Sequence, residues 1–358
     1  MDALDIMNDI YINKFGNPSS LHQVGFDSEI ALRDAREDFA NFLGVKSKEI
    51  YFTPSATFAN NLAIIGTYKG GTCLLNPLEH SSVYNTVLST YKDSIVEFPL
   101  KNSGTINKEE ILNILSPEIK FVSLMHVNNE TGEIYDIKEI TKIIKEYNKD
   151  IIVHCDGVQF FGKKNINLKS LGVDIYVSSG HKINGPRGVG LIYVKSGINI
   201  NPIIYGGGQE NGLVSGTENV GAICAFLRAY KNIIDFDPNP IYELNSYIKK
   251  EIENIPGSKI NGENTSPYII SASFSGIKSE PLIHMLESHD VYVSSGSACN
   301  KGEDSRVLSR INLGEEYVDG TIRISFDKNS TLEEAKEFVK ILKEDINTIR
   351  SIMNWWNG

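Results

Sequence analysis

The sequence predicts an α/β protein with a large domain built on a mainly parallel sheet, followed by a smaller α+β domain. Three observations support this. Short apolar runs alternate with helix-like patterns from about residue 50 to residue 195, the runs are apolar throughout, and the pattern changes after about residue 230. Strands that are apolar on both faces are typical of parallel sheets covered by helices. The seven candidate strands are residues 49–52, 72–76, 95–99, 121–126, 151–155, 175–178 and 190–194.

Helix-like stretches connect several of these strands, and a different set of elements follows the pattern change. The connecting helices include residues 57–68, 82–92 and 137–148. Residues 235–240 (Asp-Phe-Asp-Pro-Asn-Pro) resemble a linker. The elements predicted beyond it are a helix at 241–255, strands at 269–274 and 322–326, and a closing helix from 332 to about 352.

Two domains follow from this division. We predict a large domain at residues 16–230 and a small domain made of residues 1–15 and 231–358. The second assignment places a predicted N-terminal helix, around residues 3–11, with the C-terminal part of the chain.

The composition narrows the class of protein. The chain has 358 residues, 41% of them hydrophobic, and a net charge of −10, which argues against nucleic acid as the main partner. No apolar stretch approaches the roughly 18 residues of a membrane span, and the acidic N-terminus lacks a signal-peptide core, so we expect a cytoplasmic protein. Four scattered cysteines without CxxC spacing indicate reduced thiols rather than a disulfide framework or a metal site.

Two residues suggest a cofactor. Asp156 follows the apolar run 151–155, and Lys182 follows the next predicted strand, so both fall at carboxyl ends of strands, where such sheets bind ligands. A lysine that attaches pyridoxal phosphate and a carboxylate that keeps its ring nitrogen protonated are the minimal pair for holding this cofactor. Gln159 could reach the phenolic oxygen, or it could be a solvated helix residue. Helix capping by Asp156 and a surface role for Lys182 remain alternatives.

A phosphate group needs backbone N–H groups at a helix start, together with hydroxyl groups. Ser55, Ala56 and Thr57 open the predicted helix that follows the first strand, and Ser179 and His181 flank the lysine. These residues are candidates for binding the phosphate. Ordinary N-capping would explain Ser55 and Thr57 equally well.

Two further segments carry polar side chains after predicted strands. His80 could stack on a flat cofactor and move protons, or it could be a hydrogen-bonded polar residue with no such role. The amides in residues 126–130 (His-Val-Asn-Asn-Glu) could hold a carboxylate or a ring oxygen, although such turns also occur without function.

Cys299 and Arg323 are candidates for handling the substrate. Cys299 lies in a small, polar segment, residues 294–303, which is unlike the core setting of a structural cysteine and suits a nucleophile. An incidental surface cysteine is the alternative. Arg323 alternates with apolar residues on a predicted strand, so it needs an anion, either a substrate carboxylate or an internal acidic residue.

These residues occur in an order that resembles the NifS-like cysteine desulfurases, in the class V branch of the fold-type I pyridoxal phosphate enzymes. The resemblance extends over nearly the whole chain. The matching segments are 16–22, 56–57 with Asn61, 79–80, 125–132, 154–156 with Gln159, 179–182, 206–210, 215–219, 294–299 and Arg323.

The resemblance implies a fold-type I large domain with a seven-stranded sheet and a role for each matched residue. Lys182 would carry pyridoxal phosphate, Asp156 and Gln159 would contact its ring, and His80 would stack on it and act as acid and base. The phosphate contacts would come from Ala56, Thr57, Ser179, His181 and, from the partner subunit of a homodimer, Thr217.

The resemblance also implies a reaction. Asn129 would contact the cofactor and, with Arg323, the carboxylate of L-cysteine. Cys299 would attack the substrate sulfur, releasing L-alanine and leaving a persulfide. The sulfur would pass to an acceptor or scaffold protein, in iron–sulfur assembly or transfer-RNA thiolation.

Several positions depart from the family pattern. Ser55 and Phe58 stand where a glycine and an acidic residue are usual, and Asn211 and Val214 stand where two arginines are expected. The family's first strand and turn have no counterpart before the predicted helix at 3–11. A diverged member with little turnover, acting as a scaffold or sulfur-handling partner, and a lyase acting on selenocysteine are therefore alternative functions.

Overall fold

The computed structural model describes residues 2–295 and 305–357, with side chains described as far as Ile352. Contacts divide these residues into two compact units. The first unit comprises the residues up to Pro99, Lys108–His126 and Asp136–Phe236. The second comprises Leu100–Asn107, Val127–Tyr135 and the described residues from Asp237 onward.

A seven-stranded sheet forms the centre of the first unit, counted over the described residues. Its strands are β1 (Ile50–Thr53), β2 (Thr72–Leu75), β3 (Ile95–Glu97), β4 (Ile119–Met125), β5 (Ile152–Asp156), β6 (Ile175–Ser179) and β7 (Gly190–Val194). Their order in space is β1-β7-β6-β5-β4-β2-β3. The five adjacent strands β6, β5, β4, β2 and β3 run parallel, whereas β7 is antiparallel to both β6 and β1. The seven predicted strands are confirmed, with small differences at their ends.

The α-helices described in this unit are α1 (Ala3–Asn13), α2 (Gln23–Leu43), α3 (Ala56–Thr67), α4 (Ser81–Tyr91), α5 (Ile111–Ile114), α6 (Ile137–Tyr147), α7 (Leu168–Leu171) and α8 (Val220–Ile234). Seven of these eight helices begin at a residue whose side chain caps the first turn, and α5 is the exception. Asp136 Oδ1 accepts a hydrogen bond from the Glu139 N–H at 3.1 Å, and Asn219 Oδ1 accepts one from Ala222 N–H at 3.0 Å. Such side-chain caps satisfy N–H groups that the first helical turn leaves unpaired. The three predicted helices of this region correspond to α3, α4 and α6.

Helix α3 packs on strands β6 and β7. Ala59 and Ala63 face Val177 and Ile192 in one apolar cluster, and all four side chains are fully buried. Small alanine side chains allow the helix to approach the sheet closely. This packing positions the first turn of α3 beside the carboxyl ends of the strands.

Antiparallel β7 begins where β1 and β6 end. Its first residue, Gly190, pairs with Thr53 of β1 and with Ser179 of β6. A Cβ atom at Gly190 would lie 2.9 Å from the Ser178 carbonyl oxygen and 2.9 Å from Thr53 Oγ1. Glycine therefore permits the three strands to meet here, and the segments that follow β1 and β6 lie at the same edge of the sheet.

Helix α1 packs against α8 in the first unit, which differs from the predicted assignment of residues 1–15 to the small domain. The Tyr11 hydroxyl donates a hydrogen bond to Asn219 Oδ1 at 2.6 Å, and Gly221 leaves room for the Tyr11 ring, because a Cβ there would lie 2.9 Å from Tyr11 Cζ. Ile10 is also buried. These contacts assign α1 to the unit of the large sheet.

The second unit is an α+β structure with an antiparallel sheet of order β10-β11-β9-β8. Its strands are β8 (Ser258–Asn261), β9 (Ile269–Phe274), β10 (Ser294–Ser295) and β11 (Thr321–Ser325), and its helices are α9 (Asn239–Glu253), α10 (Ser279–Glu287), α11 (Arg306–Arg310), α12 (Glu315–Val318) and α13 (Leu332–Asn357). Phe274, Leu282 and Leu342 are fully buried in its core. The predicted strands at 269–274 and 322–326 and the predicted helices are confirmed, whereas β8 and β10 were not predicted. Over the described part of the chain, no helix is both long and apolar enough to cross a bilayer.

Candidate active site

Asp156 and Lys182 follow neighbouring parallel strands of the first unit. Asp156 is the last residue of β5 and is in register with Val177 of β6. Lys182 is an exposed residue in the 3₁₀ turn Gly180–Ile183, directly after β6. Both lie at the carboxyl edge of the sheet, as predicted, and this edge is where α/β sheets bind ligands.

Asp156 is held by one hydrogen bond to each carboxylate oxygen. Asn60 Nδ2 donates to Oδ2 at 2.9 Å, and the Val158 N–H donates to Oδ1 at 3.0 Å. The residue is buried, with 6% of its surface exposed. The two donors fix the plane of the carboxylate, which retains further lone pairs for a ligand.

His80 caps helix α4 through its ring. Nδ1 lies 3.1 Å from the Ser82 backbone nitrogen, which donates to it, and 2.8 Å from Ser82 Oγ. Because Nδ1 accepts a backbone N–H, the proton of the neutral ring lies on Nε2. His80 is therefore a hydrogen-bonded polar residue, which was one of the two alternatives that the sequence left open.

The predicted phosphate contacts lie at the first turn of α3 and after β6. Ser55 Oγ caps α3 by accepting from the Phe58 N–H at 3.1 Å, and Ala56 and Thr57 form the first turn. Ser55 has φ −168°, which is extended backbone that any residue adopts, so the change from the family's usual glycine causes no strain here. A twelve-residue helix presents partial positive charge and unpaired N–H groups at this end.

On the neighbouring strand end, Ser179 Oγ lies 2.8 Å from His181 Nδ1. Partial burial, and to a lesser degree the charges of Lys182 and Arg187, lower the pKa of His181. The imidazole is therefore mainly neutral at pH 7, and its ring N–H acts as a donor rather than as a full positive charge. Gln159 lies in the turn after Asp156, three residues along the chain.

Three other departures from the family pattern also have a structural explanation. Phe58 packs against the apolar cluster of α3, and Val214 is a buried member of that cluster. Asn211 has φ +54°, in the left-handed region that asparagine tolerates better than most residues. Thr217 lies in the exposed segment that follows.

In the second unit, the structure brings Asn129 and Arg323 together. Arg323, on β11, donates from Nη1 to the Asn129 carbonyl oxygen at 2.8 Å and from Nη2 to Ser294 Oγ at 3.2 Å. Ser294 is the register partner of Arg323 on β10. The guanidinium group is thus oriented by neutral oxygens.

An acidic residue also lies in this region. Burial raises the pKa of Glu130, although its hydrogen bond from Ser305 and the charges of Arg306 and Arg323 act in the opposite direction. Of the two anions that the sequence left open for Arg323, the structure shows an electrostatic interaction with the internal acid Glu130, and the substrate carboxylate stays a prediction.

The loop that carries Asn129 is held tightly within the second unit. Asn128 Oδ1 accepts hydrogen bonds from the Glu130 and Thr131 N–H groups at 2.8 and 2.9 Å. Glu133, almost completely buried, accepts from the Glu263 N–H at 2.8 Å and from Thr105 Oγ1 at 3.1 Å. Residues 127–135 are therefore positioned by side-chain caps, as the Asn-rich turn suggested.

Cys299 lies outside the described residues, so its predicted role stays a prediction. The cysteines at 73 and 155 are buried, and that at 224 is half-buried. Within the described ranges, no cluster of three or more His, Cys, Asp or Glu side chains is placed to hold a metal ion.

Sequence reasoning missed the polar residues behind Asp156. Asn60, Ser123 and His154 are each completely buried, and hydrogen bonds link them to one another and to Asp156. The signal was present in the sequence, because a histidine inside the apolar run 151–155 must find polar partners.

Comparisons with known proteins agree with this geometry. The aminotransferase class-V model matches residues 2–338. A curated relative, the cysteine desulfurase IscS of Dictyoglomus turgidum, is 36% identical over 366 aligned residues, which cover 98% of this chain and 92% of the relative.

Two solved structures are similar over most of their length. A NifS-like protein superposes with a TM-score of 0.90 at 32% identity, covering 97% of this chain and 95% of that protein. SspA in complex with cysteine superposes with a TM-score of 0.80 at 29% identity, covering 90% of this chain and 94% of SspA. The chain belongs to the class-V aminotransferase family, whose cofactor is pyridoxal phosphate.

Proposed function

We propose that this family member is a cysteine desulfurase, which converts L-cysteine to L-alanine and carries the sulfur as a persulfide on Cys299. The observation that carries the proposal is the placement of Asp156 and Lys182 at neighbouring strand ends. The relatives that match almost the whole chain include a cysteine desulfurase, and one structural neighbour contains cysteine.

The residues present fit pyridoxal phosphate. The amine of Lys182 provides covalent attachment, the carboxylate of Asp156 suits a protonated ring nitrogen, and Gln159 suits the ring oxygen. The first turn of α3, with Ala56 and Thr57, provides N–H and hydroxyl donors for a phosphate.

The other phosphate contacts are Ser179 and His181. When bound, the cofactor supplies an electron sink that weakens bonds around the substrate's α- and β-carbons. Asp156, whose two oxygens are oriented by donors, would face the ring nitrogen and keep it protonated.

Three residues would act on the substrate and its protons. Arg323, oriented by the Asn129 carbonyl, is suited to the carboxylate of L-cysteine. His80, with its proton on Nε2, is suited to proton transfer.

The transfer of sulfur balances without an outside oxidant. The thiolate of Cys299 forms a bond to the substrate sulfur, and the bond between that sulfur and its β-carbon breaks. The electron pair remains with the carbon, which takes up a proton to give L-alanine. The net change is L-cysteine plus a thiol to L-alanine plus a persulfide, which can pass its sulfur on.

Single-turnover persulfide formation tests this function. We expect protein loaded with pyridoxal phosphate to form one alanine and one persulfide at Cys299 when given L-cysteine without reductant. Lys182→Ala and Cys299→Ser should abolish this product, whereas Cys224→Ser should retain it. Cys224 is the matched control because burial raises the pKa of its thiol to about 11. A loaded protein that forms no alanine would refute the desulfurase function and favour a scaffold, and equal turnover of selenocysteine would favour the lyase.

We also propose a homodimer in which each Thr217 contacts the cofactor of the partner subunit. Thr217 is exposed in the first unit, as are the large apolar side chains of Ile12, Phe15 and Leu21. A dimer interface would cover such exposed apolar side chains.

Mixing two inactive variants tests the shared site. In a mixed dimer of Lys182→Ala and Thr217→Val, one of the two sites has an intact lysine and receives threonine from the other subunit. Activity of the refolded mixture should exceed the sum of the separate variants. No gain over that sum would contradict the shared site.

We propose that the persulfide sulfur leaves to an acceptor protein in the cytoplasm, for iron–sulfur assembly or transfer-RNA thiolation. The reversibility of a persulfide supports transfer rather than storage. Fractionation of cells that express the tagged full chain would contradict the location if the chain remained with membranes.

A further inference from the structure

Asn60 is at the centre of a buried hydrogen-bond network behind Asp156. Its amide Nδ2 donates to Asp156 Oδ2 at 2.9 Å and to Ser82 Oγ at 3.0 Å, while Oδ1 lies 3.1 Å from His154 Nε2. The side chain is completely buried in α3. One amide therefore uses both hydrogens and its oxygen to connect three polar side chains.

The position of these side chains follows from the strand. His154 and Asp156 are two residues apart on β5, so they project from the same face of the sheet, towards α3. Ser123 is the register partner of His154 on the neighbouring strand β4. The network thus crosses two strands and one helix of the first unit.

The identity of each partner decides the orientation of the amide. A carboxylate can only accept, so the NH₂ group of Asn60 faces Asp156 and the amide oxygen faces His154. His154 Nε2 must then carry the ring proton. Complete burial lowers the pKa of His154 to about 3, which is consistent with a neutral ring.

The other ring nitrogen extends the network. His154 Nδ1 lies 3.0 Å from Ser123 Oγ, and Ser123 Oγ lies 3.4 Å from Glu79 Oε1. The serine hydroxyl has one proton, and the shorter contact, to His154, agrees with a proton on Nε2. His154 and Ser123 therefore hold the Asn60 oxygen and prevent the amide from rotating.

A second branch leads from Asn60 to His80. Ser82 Oγ accepts from Asn60 Nδ2 and lies 2.8 Å from His80 Nδ1, to which its hydroxyl donates. The Ser82 N–H points at the same ring nitrogen. Asn60 thus determines which way the Ser82 hydroxyl proton points, and this proton helps to keep the His80 proton on Nε2.

We infer that Asn60 is a positioning residue that couples Asp156, the partner of the cofactor's ring nitrogen, to His80, the acid and base above the ring. It fixes the plane of the Asp156 carboxylate directly and the tautomer of His80 through Ser82. This inference rests on the cofactor-binding part of the proposed function and not on the identity of the substrate.

The test compares the binding and absorbance of pyridoxal phosphate in variants of the full chain. Asn60→Leu keeps the approximate volume and removes every bond of the amide. Because a hydrogen bond to the charged Asp156 is lost, we expect the dissociation constant of pyridoxal phosphate to rise about 10-fold to 100-fold, which corresponds to about 1.4–2.8 kcal/mol. The absorbance maximum of the bound cofactor, followed against pH, should also change, which a purely structural role would not predict.

Thr67→Val is the matched control on the same helix. The Thr67 hydroxyl is buried and donates only to the Ala63 carbonyl of its own helix, at 2.6 Å. This variant should bind pyridoxal phosphate with an unchanged dissociation constant and an unchanged absorbance spectrum.

Ser82→Ala keeps the test decisive if Asn60→Leu fails to fold. It removes only the branch to His80, and we expect a change in the pH profile of the bound cofactor with a smaller loss of affinity. The inference would be overturned if a folded Asn60→Leu or Ser82→Ala variant had the wild-type dissociation constant for pyridoxal phosphate and the wild-type pH dependence of the cofactor's absorbance. Because these measurements need no cysteine, a protein that binds the cofactor but makes no alanine would refute the desulfurase function alone.

Discussion

Glu210→Gln tests whether one buried ion pair holds together the part of the first unit that carries the proposed phosphate contacts. Arg36, on α2, donates to the two oxygens of Glu210 at 2.7 and 2.6 Å and to the Ile50 carbonyl at 2.6 Å. Glu210 also accepts the Phe52 N–H at 2.9 Å. A single carboxylate thus joins α2, β1 and the segment that leads to Thr217.

The expected cost follows from the burial of both partners. The side chain of Glu210 is 2% exposed and that of Arg36 is 19% exposed. Removing one member of a buried ion pair costs about 3–5 kcal/mol, and we expect the lower end, about 3 kcal/mol, since the arginine keeps some contact with water. Glutamine has the same shape, so the left-handed backbone at this position, φ +49°, contributes equally to both proteins.

Equilibrium unfolding in urea measures the loss, with a matched pair on the same helix as the control. Glu29 and Arg33 are 3.8 Å apart and 40% and 50% exposed, so Glu29→Gln should change the free energy of unfolding by less than about 0.5 kcal/mol. Replacing both partners, as in Arg36→Met with Glu210→Leu, should destabilise less than Glu210→Gln, because no charge is left buried alone.

The reasoning would be refuted if Glu210→Gln and Glu29→Gln had the same urea midpoint. A midpoint for the double replacement that is lower than that of Glu210→Gln would show that the network of Glu210, rather than the unpaired charge, determines the loss. Because Glu210 holds β1, we also expect Glu210→Gln to weaken binding of pyridoxal phosphate.

Three further outcomes can be measured on the same protein. The unfolded chain takes up a proton at His154 near its ordinary pKa of 6.5, and the folded protein takes it up only near 3, so stability should fall by about 1.4 kcal/mol per pH unit as pH falls between these values. His154→Gln should reduce the pH slope measured by urea unfolding at pH 7 and 5, and an unchanged slope would contradict this. Gly157→Ala would place a Cβ 1.9 Å from Tyr176 Cζ, so we expect a loss of about 1–3 kcal/mol in thermal unfolding, which Tyr176→Leu should partly relieve. Ser55→Ala should lower the free energy of unfolding by about 1 kcal/mol, because it removes the cap on the Phe58 N–H, while Ser55→Gly should lower it by only a few tenths of a kcal/mol. A higher free energy of unfolding with glycine would show that serine strains the loop.

The parts of the fold that were predictable are those determined by local patterns. The strand ending at Asp156 is a continuous apolar run, and the helix α3 begins at a serine followed by an apolar periodicity. Lys182 could be placed because it directly follows a strand. In each case the residues that identify the element lie within one short segment.

The parts that were not predictable depend on contacts between distant segments. Tyr11 and Asn219, which assign α1 to the large unit, are 208 residues apart, and Asn60 and Asp156 are 96 residues apart. The two-residue strand β10 is too short to have a period. The sequence predicts that β7 is a strand. Its antiparallel direction depends on tertiary packing and has no local signature.

The pairing of Gly190 with both Thr53 and Ser179 has a consequence for folding kinetics. Strand β1 has no neighbour in the sheet until β7, the last strand of this sheet along the chain, pairs with it. Such non-local pairing delays folding because loop closure comes before any stabilising contact. Because α3 directly follows β1, we expect its N-terminal turn to be fixed beside the turn after β6 once β1 has paired with β7. Recovery of pyridoxal phosphate binding should therefore lag behind helix formation during refolding. Cofactor binding would then follow the pairing of β1 with β7 rather than the first strand pairings of the sheet.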